Sequence, residues 1–239
     1  MMKRMLRVAV VAAALAAPAG SAGPIAVVVP NENATVEATN NTGMLIDDTG
    51  YTYQEQIAGS QLSAITVGNT ITALRYRLNG GSSIAGPTSQ INFDNYDITL
   101  AQATNTIGSW STTFADNMTD PVQVRSGTLS IAAGTFGTGI PAPWGPWIQF
   151  DVPYVYQGGD LVLLVSHDGH GGSDNSFLDA NGSGTEFAGQ YRIGYNETTS
   201  SSGVGVTVIQ FAAEIVPEPT TLALLGLAAA CVANRRRRS

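Results

Sequence analysis

Apolar and polar residues alternate along most of the chain in short runs, separated by clusters of Gly, Asn, Asp, Ser and Pro. Successive side chains of a β-strand point to opposite faces, so this pattern predicts half-buried strands joined by turns. In ITALRYRLNGG, Thr72, Leu74, Tyr76 and Leu78 form one face, and Ala73, Arg75, Arg77 and Asn79 form the other. In INFDNYDITL the apolar phase runs through Ile91 and Phe93 and then shifts to Tyr96, Ile98 and Leu100. One extra residue near Asp94-Asn95, a β-bulge, would keep both halves facing the core. WIQFDVPY puts Ile148, Phe150 and Val152 on one side and Trp147, Gln149 and Asp151 on the other. Leu161 to Val165 is continuously apolar, as expected of a central strand covered on both faces. Val204, Val206 and Val208 open a final long strand in GVGVTVIQFAAEIV, and residues 24–41 read as irregular chain or an edge strand.

No amphipathic helix interrupts this pattern, and turn signals recur about every 8–12 residues. The predicted fold is all-β, an antiparallel two-sheet sandwich of jelly-roll type. About 190 residues suffice for one such core. The expected organisation is a signal peptide over 1–22, one β-sandwich domain over 23–215 and a distinct tail over 216–239.

The two ends break the alternation. Lys3, Arg4 and Arg7 precede an apolar stretch from Val8 to Ala17, and Ala17-Pro18-Ala19 and Gly20-Ser21-Ala22 both suit cleavage of a secretory signal helix. At the other end, VPEPTTLALLGLAAACVANRRRRS combines a Pro-Glu-Pro elbow, an apolar run from Thr220 to Ala233 and four arginines, Arg235, Arg236, Arg237 and Arg238. As a helix the apolar run reaches about 21 Å, short of a hydrocarbon core about 30 Å thick. It is a marginal transmembrane helix, with the arginines as its cytoplasmic stop. Pro217 and Pro219 keep the elbow out of helix and Glu218 keeps it out of the bilayer, so the elbow suits processing.

Without the two ends, four arginines and no lysine stand against seventeen acidic residues, a net charge of −13. Nucleic acid is an unsuitable partner for such a body, because its phosphates require basic contacts. The single cysteine, Cys231, lies in the tail, so the body depends on its apolar core and not on a disulfide.

Val216, Pro217, Glu218 and Pro219, followed by the short apolar helix and the arginine cluster, resemble the PEP-CTERM sorting signal of bacterial surface proteins. The resemblance implies export, transient residence in the inner membrane through the tail helix, and removal of the tail by an exosortase-type enzyme. It further implies a final place at the cell surface or in an extracellular matrix, with extracellular polysaccharide as a candidate partner. The segments FDNYDITLAQA, STTFADNM, QVRSGTLSI, WIQFDVPYVYQGGDLVLLVSHDG and FLDA are similar to a body type that recurs with such tails and carries no assigned activity.

Candidate chemistry in the body is sparse. No nucleophile elbow, zincin helix, P-loop or dinucleotide fingerprint is present. The two histidines, His167 and His170, lie in the polar loop HDGHGGSDNS, where a structural or solvent-exposed role is expected of them. Asp168, Asp174 and Asp179 are weak candidate oxygen ligands for Ca²⁺, with spacing unlike an EF-hand; no other cofactor is expected. Trp144, Trp147 and Gln149 are the candidate glycan-binding residues, because sugar rings need an apolar platform beside hydrogen-bonding groups. The expected function is therefore a non-enzymatic structural or adhesive envelope protein. The alternatives are a carbohydrate-binding module, which requires Trp144 and Trp147 on a shared face, and a hydrolase using Asp and Glu, which requires convergent carboxylates.

Overall fold

The computed structural model describes residues 24–81, 84–174 and 176–215. The expected signal helix over 1–22 and the tail helix over 216–239 lie outside the described residues. The body, Gly23–Ile215, forms a unit of its own, and every ladder in it is antiparallel.

Fifteen strands are distributed over four sheets among the described residues, two of them large. The first large sheet has the order β1 (Ile25–Val29), β15 (Ile209–Glu214), β4 (Thr70–Tyr76) and β9 (Ile148–Val155). The second runs β13 (Ser202–Val204), β12 (Phe187–Ile193), β3 (Tyr51–Ile57), β10 (Leu161–His167), β6 (Tyr96–Ala103) and β7 (Met118–Arg125). Two small sheets complete the body: β14 (Val206–Thr207), β11 (Leu178–Asn181) and β2 (Asn40–Thr42) form one, and β5 (Ile91–Phe93) with β8 (Leu129–Ile131) forms the other. A single core joins the two large sheets. Ile71, Leu74, Ile209 and Phe211 from the first meet Tyr53, Ile98, Leu100, Leu163 and Val165 from the second, all buried. The all-β antiparallel expectation holds, with the strands spread over more sheets than two.

The continuous apolar run is β10, which lies between β3 and β6 in the middle of the six-stranded sheet. Its inner face fills the common core. On the outer face of the neighbouring β3, Gln54 Oε1 accepts from Asn117 Nδ2, in the chain between β6 and β7, at 2.8 Å and from Gln190 Nε2 of β12 at 2.9 Å. The amide of Gln54 in turn donates to the Phe114 carbonyl at 2.9 Å. These bonds satisfy both ends of the Gln54 amide on a strand withdrawn from water on both faces.

Four sequence expectations are corrected. Ile91, Phe93, Tyr96, Ile98 and Leu100 are all buried, but the phase shift at Asp94-Asn95 is a change of sheet, from β5 to β6, and not a bulge. The final long strand is three short ones, β13, β14 and β15, each in a different sheet. Val152 is 49 % exposed, because the ladder between β4 and β9 jumps from Ile71↔Tyr154 to Ala73↔Gln149 and lets the chain between bow outward. Arg77, expected on the half-exposed side of its strand, is 1 % exposed. Residues 24–41 include an edge strand as expected, β1, which pairs with β15 alone.

Candidate functional site

Strand register assembles the outer face of the four-stranded sheet row by row. Ala26 pairs with Ala212, Ala212 with Ala73, and Ala73 with Gln149, so one row is three alanines ending in an exposed amide. In the neighbouring row Val28 pairs with Gln210 and Gln210 with Arg75. The next residue across is Trp147, since Leu74 pairs with Ile148. The guanidinium of Arg75 lies over the Trp147 ring, 4.1 Å from its centroid, and 5.8 Å from that of Trp144. The Arg75 Nε donates to Gln210 Oε1 at 2.7 Å. Arg77 then lies 5.1 Å from the centroid of Trp144, whose ring also packs on the buried cluster of Val28, Ala38 and Val208.

Trp144, Trp147 and Gln149 are thus brought to one face of one sheet. The two indoles do not form an open pair of sugar platforms, because a protein guanidinium occupies one face of Trp147. The sequence offered no sign of this contact. Arg75 and Trp147 are neighbours only once β4 and β9 are paired in their observed register.

Beneath Trp144, Arg77 forms a buried ion pair with Asp179, with Nε and Nη2 donating to Oδ2 at 2.8 and 2.6 Å. Asp179 also accepts from the Ala38 amide at 3.0 Å, and Arg77 Nη2 donates to the Val36 carbonyl at 2.6 Å. Burial pushes the Asp179 carboxyl above its ordinary value, opposed by the Arg77 hydrogen bonds. Asp168 and Asp174 are committed elsewhere. Asp168 accepts from the backbone and side-chain nitrogens of Asn95 at 3.1 and 2.8 Å. Asp174 accepts from Thr88 N at 2.6 Å and Ser176 N at 2.9 Å; burial works to raise its pKa, but the Ser176 and Thr88 hydrogen bonds together carry it below the ordinary value. The three aspartates therefore serve three separate junctions and do not converge as a Ca²⁺ shell. Among the described residues no group of three or more His, Cys, Asp or Glu side chains could hold a metal ion.

His167 belongs to the core and not to the loop. It ends β10 with no exposed surface, stacks on Tyr96 at 5.6 Å and donates from Nε2 to the Met44 carbonyl at 2.5 Å. Its Nδ1 accepts from the Gly169 amide at 3.1 Å. Burial pushes the ring down to about 4, which fixes it neutral. His170 lies edge-on to Phe93 at 5.6 Å.

One titratable group was missed by the sequence reading. Glu55 is 1 % exposed in β3, between Tyr53 and Ile57 on the core-facing side. Its Oε2 accepts from Tyr53 Oη at 2.8 Å and from the Thr207 amide at 3.2 Å, while its Oε1 has no hydrogen-bond partner among the described residues. Burial raises its pKa to about 8. The period-two pattern of Tyr53, Glu55 and Ile57 was the available signal, because an acid in phase with two core residues is destined for the interior.

Outside the described residues, residues 216–238 match the family model of the PEP-CTERM protein-sorting motif. The tail is a PEP-CTERM sorting signal. That identity implies export, sorting to the cell surface and processing by an exosortase-type enzyme. The motif includes Val216, Pro217, Glu218, Pro219 and the four arginines Arg235 to Arg238. No curated protein and no solved structure matches the chain. Among the described residues no helix is long and apolar enough to cross a membrane.

Proposed function

We propose that the body is a non-enzymatic structural or adhesive module, released from the inner membrane by tail removal and retained in the envelope or extracellular matrix. The observation that carries the reading is the PEP-CTERM signal at 216–238, attached to a body whose functional-looking side chains hold the fold together. Asp179 fixes Arg77, Asp168 fixes Asn95, Asp174 fixes Thr88 and Ser176, and His167 fixes Met44. Side chains tied into such networks are poorly placed to exchange protons with a substrate. A net charge of −13 keeps the exported body soluble and self-repelling before it is retained.

A second reading is favoured by a specific observation. Trp147, Gln149, Arg75 and Gln210 share the outer face of the four-stranded sheet with a row of alanines, a surface suited to a carbohydrate partner. The two readings are compatible, since an adhesive matrix protein needs something to adhere to. The test is deletion of the gene in the native host with complementation by wild-type protein and by protein lacking 216–239. Surface exposure of the body and a change in cell cohesion that only wild type restores would support the proposal. Equal restoration by the tail-less protein would overturn it.

A further inference from the structure

The four arginines of the body divide unevenly. Arg77 is paired with Asp179 and Val36. Arg125 donates to the carbonyls of Tyr96, Gly127 and Thr128, and Arg192 lies 3.7 Å from Glu197. Among the described residues Arg75 alone has no anionic or carbonyl partner: its Nε donates to the neutral amide of Gln210, and neither Nη nitrogen has an acceptor there. In a body with seventeen acidic residues such a cation is conspicuous, because carboxylates to pair it are abundant. Instead its guanidinium carbon lies over the Trp147 ring, 4.1 Å from the centroid, and the Nη groups remain for another partner.

Gln210 repeats the message. It is only 9 % exposed, it spends its amide oxygen on Arg75, and its amide nitrogen has no acceptor among the described residues. Two neighbouring side chains therefore offer unspent donors and no acceptor on the same face. The adjoining row runs from the exposed Ala26 through the half-buried Ala212 and the buried Ala73 to the exposed Gln149. Donors without acceptors select an acceptor-rich, negatively charged group, and a planar guanidinium matches a carboxylate through two parallel hydrogen bonds. The small apolar side chains of Ala26 and Ala212 near that fork suit the C–H face of a pyranose ring.

We propose that the outer face of the four-stranded sheet is a binding site for a carboxylated sugar, a hexuronate of an acidic polysaccharide. Arg75 takes the carboxylate, Gln210 and Gln149 take ring oxygens, and Trp147 holds Arg75 in place. The surrounding negative charge of the body confines such a polyanion to this one face. The inference rests on the adhesive reading above and supplies its partner.

The test is calorimetric titration of the full chain, purified in detergent, with trigalacturonic acid and with its methyl ester, which has the same rings and no charge. The acid should bind, the ester should bind at least about tenfold more weakly, and Arg75→Gln should weaken acid binding by a similar factor. Arg75→Lys, which keeps the charge and loses the fork, should recover only part of the loss. Equal binding of acid and ester would overturn the carboxylate assignment and leave a neutral-glycan site. No binding by wild type at millimolar ligand would overturn the site, while leaving surface localisation in the host as a separate result. Self-association in sedimentation that Arg75→Gln abolishes would assign the face to an acidic side chain of a second copy instead.

Discussion

Glu55 and His167 set the pH response of the body in opposite senses. The Glu55 carboxyl is raised from 4.5 to about 8 in the fold, so the unfolded chain gives up this proton first. Its stabilising contribution is complete below about 4.5 and is lost as pH rises to about 8, by up to ~1.4 kcal/mol per pH unit. His167 is lowered from 6.5 to about 4, so the unfolded chain takes up a proton first and stability falls as pH drops through that window. The two slopes oppose each other between about 4.5 and 6.5, and Glu55 governs the decline from about 6.5 to 8. Glu55→Gln should flatten that upper decline in urea denaturation series, and a decline as steep as wild type would contradict the assignment. The buried pair of Arg77 and Asp179 gives a second prediction at this scale. Arg77→Met leaves a carboxylate unpaired among Val36, Ala38 and Trp144, and should cost about 3–5 kcal/mol in the same measurement. This pairing was not legible in the sequence, because 102 positions separate its partners and nothing local distinguishes Arg77 from Arg75 two positions earlier.

At the scale of elements, the chain from Ser202 to Glu214 contributes to three sheets in succession, and the turn at Gly205 makes this possible. A Cβ on Gly205 would run into the carbonyl of Asn181, and the carbonyl of Gly205 itself approaches Gly189 of β12. Gly205→Ala should therefore destabilise the body by about 1–3 kcal/mol, read as a lowered midpoint in denaturant. An unchanged midpoint would show that the crossing can relax. The same segment shows what periodicity reports and what it does not. Alternation identified Val206 and Val208 as interior positions, and both are fully buried. It cannot say which neighbour a strand pairs with, so a run that changes sheets looks like one long strand. Leu161 to Val165 was legible as a central strand because only a strand covered on both faces needs a continuous apolar run. Val152 was misread because the bowed ladder between β4 and β9 frees it from the core, and that irregularity depends on Ile71 and Ala73 of the partner strand. One edge strand of each large sheet carries a proline, Pro121 in β7 and Pro153 in β9. Each removes a ladder donor and blunts an edge that would otherwise template pairing with another chain.

The whole molecule joins an acidic, disulfide-free β body to a short signal that directs its handling. The sequence predicts separable duties, as processing elbow, membrane anchor and basic stop, for Pro217-Glu218-Pro219, the apolar run and the arginines. Changing the elbow to alanines should block tail removal and strand uncut protein in the inner membrane, since the anchor and its stop are untouched. Replacing Arg235 to Arg238 should fail differently, because a run of about 21 Å without its basic stop is poorly held in the bilayer. Fractionation with C-terminal peptide analysis separates the two defects. The most direct measurement is the C-terminal sequence, by mass spectrometry, of the wild-type protein recovered from the surface of its native host. Exosortase-type processing predicts a chain that ends at or near Pro217–Pro219 and lacks the arginine cluster. A surface protein that still ends at Ser239 in a host with an active exosortase would contradict it.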